Sequence, residues 1–156
     1  MKAVKPSKLV KYTNGDWSDV DERPYKDDSP LHRGVTRREL LGAGAGEDQL
    51  RFVVRYFEVA PGGYSTLERH EHTHAVMILR GSGTVVLGDR AHAIAPFDCV
   101  YVAPDTVHQF QAAKDEPLGF VCIVDRVRDR GVPADPADIE ALARQGVLVK
   151  HGTRKD

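Results

Sequence analysis

Four residues able to bind a metal ion stand at alternate positions in the segment TLERHEHTH: Glu68, His70, His72 and His74. Side chains alternate faces along a β-strand, so an unbroken strand here would turn all four the same way. Crowded imidazoles and a carboxylate compete for water unless an ion binds them together. Neutral imidazole nitrogen and carboxylate oxygen suit Mn, Fe, Ni, Co, Zn or Cu, so one divalent transition metal is the expected cofactor. The bland alternative is a solvated polar face. Histidine is too scarce a residue for three in five positions to sit well with it.

The elements that must position this cluster are short strands. RFVVRYFEVA, from Arg51, is rich in valine, phenylalanine and tyrosine and ends where Pro61–Gly63 should break it. AVMILR follows the histidines. TVVL and AHAIA flank Gly88-Asp89, a dipeptide suited to a tight hairpin. DCVYVA stops at Pro104-Asp105, and VHQFQA and LGFVCIVDRV come after it. Short strands separated by turn residues at regular spacing indicate an all-β sandwich or barrel. One helix is expected near the end, with Asp135 as N-cap, Pro136 at its first position, Ile139, Leu142 and Ala143 on one face, and Gly146 as its stop. The chain divides into an N-terminal arm (1–30), a barrel (31–130) and a helix with a tail (131–156).

With 156 residues and a net charge of −1, the chain is long enough for one domain and carries no basic excess to favour nucleic acid. Its apolar runs fall well short of the ~20 residues that cross a bilayer. No apolar core follows the basic MKAVKPSKLVK, so no secretory signal is read there. Cys99 and Cys122 lie in apolar runs and are expected to be buried, reduced thiols in a cytoplasmic protein. The expected partner is a small-molecule substrate.

From Gly62 to Gly81 the sequence resembles the first motif of the cupin superfamily: glycine, five residues, His-x-His, three or four residues, glutamate, six residues, glycine. Glu68, His70 and His74 fall on the three ligand positions, with glutamate and histidine exchanged. In the second motif only His108 of FDCVYVAPDTVHQFQA matches. The resemblance covers roughly Arg51 to Arg126. It implies a double-stranded β-helix, or jelly-roll barrel, with Glu68, His70, His74 and His108 as metal ligands. His72 is then the outlier, either solvent-facing at a bend or a proton-handling catalytic group. Two alternatives stay open: His70 and His72 as the motif's pair, or a three-histidine site with Glu68 paired to Arg69 or Arg55. Small cupins commonly form homodimers by exchanging N-terminal strands, and the arm is compatible with that.

In such a barrel Phe110 and Ala112 share the face of His108, and Val76 and Ile78 that of His74. Arg55, Tyr64, Met77, Tyr101 and Phe110 are the expected substrate-binding residues, with Tyr56 and Gln109 as further polar candidates. Cys122 is expected near the interior, where a thiol beside a metal could act as nucleophile or ligand. The superfamily holds dioxygenases, isomerases, lyases and non-catalytic binders, so the resemblance implies a metalloenzyme acting on a small oxygenated metabolite by Lewis-acid or oxygen-activating chemistry. A metal-dependent binding or sensor protein and a barrel with a vestigial site are the alternatives. RYFEVAPGGYSTLERHEHTHAVMILRG together with LGFVCIVDR is similar to the small manganese cupins of methylthioadenosine salvage, which demethylthiolate a methylthio-xylulose phosphate with help from a thiol. That resemblance favours Mn or Fe.

Overall fold

The computed structural model describes residues 7–152; the first six residues of the expected arm and the last four of the tail lie outside them. The arm folds onto its own chain. Tyr12–Thr13 (β1) and Asp16–Trp17 (β2) form a hairpin around Asn14-Gly15, both at positive φ, as a tight turn of this type requires. Trp17 packs on Tyr56 at 4.8 Å, which places Tyr56 outside the barrel rather than at its cavity. Arg23–Pro24 (β3) then pairs with Arg33–Leu41 (β4) at the sheet edge.

The main strands follow the valine- and aromatic-rich runs: Phe52–Tyr64 (β5), Glu68–Arg69 (β6), His74–Gly81 (β7), Gly83–Leu87 (β8), Arg90–Ile94 (β9), Cys99–Val102 (β10), His108–Ala112 (β11) and Leu118–Asp125 (β12). Val132–Pro133 (β13) precedes the single helix, Pro136–Arg144 (α1). Neighbours run in the order β10-β7-β12-β5-β11-β6-β13, all antiparallel, with β4 on the flank of β5 and the β8–β9 hairpin on β11. The sheet curls into a half-barrel whose concave side holds the functional residues.

Two sequence expectations are corrected here. Pro61–Gly63 does not end the strand. β5 passes through it as a bulge between the pairs Val35↔Val59 and Arg33↔Tyr64, with Gly62 at φ 70° and the Arg33 guanidinium donating to the Gly62 carbonyl at 2.7 Å. The histidine segment, by contrast, is not one strand. It bends after Arg69 and resumes at His74. The bend is held by the Asp129 carboxylate, which accepts the backbone N–H groups of Glu71 and His72 at 2.8 and 3.0 Å.

Inward-facing Val59, Ile78, Val85, Val102 and Leu118 form the dry core. A second cluster of Leu67, Val86, Leu142 and Val147 docks the helix against the barrel. The helix starts at a capping box between Asp135 and Asp138, with Pro136 in its first turn. Gln109, read as a cavity residue, instead faces away from the cavity. Its amide binds the Ser65 and Lys150 carbonyls at 2.8 and 2.5 Å and accepts the Lys150 N–H at 3.0 Å. Cys99, expected to be buried, is exposed on β10; both cysteines are free thiols.

Gly81 sits at φ 70°, and a Cβ there would overlap the Pro117 carbonyl; Gly46 has a similar φ of 81° but open space around it. Gly81→Ala is expected to cost about 3 kcal/mol or more, and Gly46→Ala only about 1 kcal/mol. Urea unfolding midpoints of the two variants test the difference.

Candidate metal centre

Four segments converge at one side of the concave face. β6 brings Glu68, the bend brings His70 and His72, β7 opens with His74, and β11 opens with His108, paired directly to Glu68 across the ladder. Because β6 and β7 are separated by a bend, His70 and His74 face each other with their Nε2 atoms 2.8 Å apart. Two groups of potential ligand atoms share His70: Glu68, His70 and His108, and His70, His72 and His74, each with its atoms within 4.8 Å of one another.

Each ring commits its Nδ1 to a partner other than these Nε2 atoms. His70 Nδ1 meets the His72 carbonyl at 2.7 Å and His108 Nδ1 the Thr106 carbonyl at 2.8 Å. His72 Nδ1 meets Asp129 Oδ1 at 2.7 Å, and His74 Nδ1 meets Cys122 Sγ at 2.8 Å. A carbonyl can only accept, so His70 and His108 carry their protons on Nδ1 and present Nε2 as a bare lone pair. This is how metal-binding imidazoles are held.

Ring orientation separates the four histidines. The planes of His70, His74 and His108 cross at 66–74°, so lone pairs lying in those planes can meet at one ion. His72 instead lies flat on His70, 3.6 Å away and tilted by 6°. Lone pairs in parallel planes run side by side and do not converge on an ion at bonding distances of about 2.1 Å. Glu68, His70 and His108 form one group of candidate donors, His74 joins it through His70, and His72 lies against His70.

Electrostatics favours the same form of the rings. Burial and the neighbouring imidazoles push His108 down to about 4 and His74 far below its usual range; burial and His72 also lower His70. All three are neutral at pH 7, as ligation requires. Glu68 is buried and ion-paired with Lys26 from the arm. Neither alternative partner holds it: Arg69 pairs with Asp138 and Arg55 lies by Cys122. Gly131 leans on the Glu68 carboxylate so closely that a Cβ there would overlap it.

The cluster opens into a cavity of about 620 Å³. Phe110, Phe120 and Phe57 stack along its floor at 4.5 and 5.5 Å, and Cys122, Arg55, Arg37 and Arg128 form one wall. Cys122 is buried, and burial raises its thiol above the ordinary value, opposed by the nearby Arg55 guanidinium. Of the expected substrate-binding residues, Arg55 and Phe110 line this cavity. Met77 and Tyr101 do not: they are exposed, on strands whose inward positions are taken by Val76, Ile78, Val100 and Val102. Tyr64 is buried outside the cavity, donating to the Pro30 carbonyl at 3.3 Å beneath Arg33. Sequence reasoning missed Lys26, Asp129, Arg37 and Arg128. They arrive from the arm, a distant loop and β4, and no local spacing marks them.

This curled antiparallel barrel, with imidazoles and a carboxylate gathered at its open side, defines a metal-site class of small β-barrel proteins. The chain belongs to the cupin family: the Cupin domain model matches residues 55–124. It is similar to the 1-methylthio-D-xylulose 5-phosphate methylsulfurylase of Rhodospirillum rubrum, 44% identical over 127 residues that span 81% of this chain and 79% of that protein. A cupin-2 domain structure from R. rubrum superposes with a TM-score of 0.76 at 42% identity, covering 88% of this chain and 90% of that one. A cupin 2 conserved barrel domain protein from Rhodopseudomonas palustris gives 0.78 at 40% identity, covering 88% and 93%. Among the described residues no helix is long and apolar enough to cross a membrane.

His70→Ala and His108→Ala are each expected to abolish stoichiometric metal, read by elemental analysis, while circular dichroism stays that of a folded β protein. Metal-stripped protein should lose stability in acid. Between about 4 and the ordinary 6.5, the unfolded chain binds the His108 proton and the folded chain does not. Stability therefore rises with pH across that window, by about 3 kcal/mol from this group. Urea midpoints measured from pH 7 down to pH 4 test the sign.

Proposed function

We propose that this protein is a metal-dependent enzyme that transfers the methylthio group of a methylthio-ketopentose phosphate to a thiol. The observation that carries the reading is the placement of Cys122. Its Sγ lies 2.8 Å from the cluster's His74 and borders the same cavity, in a chain 44% identical to a methylsulfurylase. Glu68, His70, His74 and His108 would hold the divalent metal, which would supply Lewis acidity toward a ketone oxygen.

The chain's own residues then have distinct tasks. With His74 ligating through Nε2, its Nδ1–H points at Cys122 Sγ, and Arg55 Nη2 approaches the same sulfur at 3.5 Å. Two N–H donors thus face the sulfur that accepts the methylthio group. The Cys122 S–H bond and the substrate's carbon–sulfur bond both break as a sulfur–sulfur bond forms between Cys122 and the methylthio group, and the proton released by the thiol balances the one the carbon takes up. The carbon keeps the electron pair, delocalised into the adjacent ketone, and then takes a proton. A second, soluble thiol attacks the resulting mixed disulfide and leaves as a methyl disulfide, restoring Cys122. His72, held by Asp129 at 2.7 Å and lining the cavity, would move the proton. The aromatic floor of Phe57, Phe110 and Phe120 keeps bulk water from the reacting carbon.

Metal-loaded protein mixed with 1-methylthio-D-xylulose 5-phosphate and a small thiol should yield the 1-deoxy ketose phosphate and a methyl disulfide. Cys122→Ser should lower turnover by about a thousandfold or more. Full turnover in Cys122→Ser would remove the thiol from the mechanism. Saturable binding without product, across the divalent ions, would instead support a ligand-binding role.

A further inference from the structure

One wall of the cavity carries a charge that the mechanism above leaves unexplained. Arg37 on β4 and Arg55 on β5 point inward from adjacent strands, and Arg128 enters from the loop after β12; all three line the cavity. Arg55 is only 8% exposed, yet among the described residues no carboxylate pairs with it. Its Nη2 reaches only the Cys122 sulfur, its plane lies over Phe57 at 4.9 Å, and its Nε is buried with no hydrogen-bond partner. Arg37 has a second such orphaned Nε. Arg128 Nη1 donates to the Asp125 and Arg126 carbonyls at 2.9 and 3.4 Å and makes no ion pair among the described residues.

Arginine stays charged in proteins, and three neighbouring buried or half-buried guanidiniums cost free energy unless an anion joins them. The charged form of Arg128 is disfavoured first by burial and then by Arg55, with Arg37 adding to it; Glu39 and Cys122 oppose. Glu39 is already shared with Arg23 at 3.8 Å. Of the acids that line the cavity, Glu68 is paired with Lys26, Asp129 holds the bend, and Asp27 stands beside Lys26 on the arm.

We propose that Arg37, Arg55 and Arg128 form the subsite that holds the phosphate of a phosphate-monoester substrate. This assignment rests on the reading of the cavity as a sugar-phosphate site and gives that reading its second anchor point. Planar guanidinium forks match phosphate oxygens two at a time, which a lysine cannot do. The strand order sets the two groups apart. β4, β5, β12 and β7 are successive neighbours, and Arg55 is paired across the ladder with Cys122, so the arginines enter the cavity from strands on the far side of β12 from His74. A pentose phosphate would lie between the arginines and the imidazoles, alongside Cys122.

Inorganic phosphate is the probe, titrated by calorimetry into the full-length chain at constant ionic strength, both metal-loaded and metal-stripped. Both forms should bind it. Arg37→Gln and Arg128→Gln should each weaken binding at least about tenfold, and Arg55→Lys, which keeps the charge and loses the fork, should weaken it too. Arg90→Gln, which removes an exposed guanidinium outside the cavity, should leave phosphate affinity unchanged. Thermal melts establish that each variant is folded; if Arg55→Lys fails to fold, the two glutamine variants decide. Unchanged affinity in both folded glutamine variants overturns the subsite, as does binding that appears only with metal present. Failure of the parent reading looks different: phosphate binds as stated, but the methylthio substrate gives no product.

Discussion

Every histidine in the cluster has one ring nitrogen engaged with a partner outside the ion site, and this constraint organises the rest of the structure. A free imidazole flips and changes tautomer. One whose Nδ1–H is held by a carbonyl has a single orientation and a single lone pair to offer. Two of the four partners come from far along the chain. Thr106 and the His72 carbonyl are local, but Cys122 comes from β12 and Asp129 from the loop beyond it. The barrel must therefore close before the site exists. The dry core of Val59, Ile78 and Leu118 is what holds these distant segments in register.

The strands and the helix were legible because their signals are local. Valine-rich runs, Gly88-Asp89 and the Asp135-Pro136 start each act over a few residues. The helix appeared with its expected cap, and the motif spacing pointed to a cupin barrel. What escaped was geometry that sequence spacing encodes ambiguously. A glycine-proline stretch can end a strand or bulge it, and β5 bulges. Histidines at alternate positions suggest one face of one strand, yet a carboxylate sixty residues away folds that segment back on itself. Met77 and Tyr101 were placed by their polarity and adaptability, but alternation had already turned them outward.

The arm changes its meaning in the same way. Sequence alone marks it as an arm compatible with strand exchange between subunits. In the structure it supplies a hairpin on the back of the barrel, a strand at the sheet edge, and Lys26 against the Glu68 carboxylate. Tyr25 beside it is half-buried, edge-on to Phe57, and the desolvation of its hydroxyl raises that group far above the usual range. A segment poor in apolar periodicity thus contributes one side of the cavity. Its attachment is made through a few specific contacts rather than through a repeating pattern.

Gln109 links the cavity to the other end of the chain. Alternation puts His108 and Phe110 on the inner side of β11 and Gln109 and Gln111 on the outer side, where their amides clasp the carbonyls of Leu148 and Lys150. The same strand thus carries a candidate ligand on one face and a clamp for the Leu148–Lys150 backbone on the other. The backbone at Leu148 and Lys150 is thereby fastened to the strand whose first residue is His108, so the outer face of β11 couples a segment without regular structure to the histidine cluster.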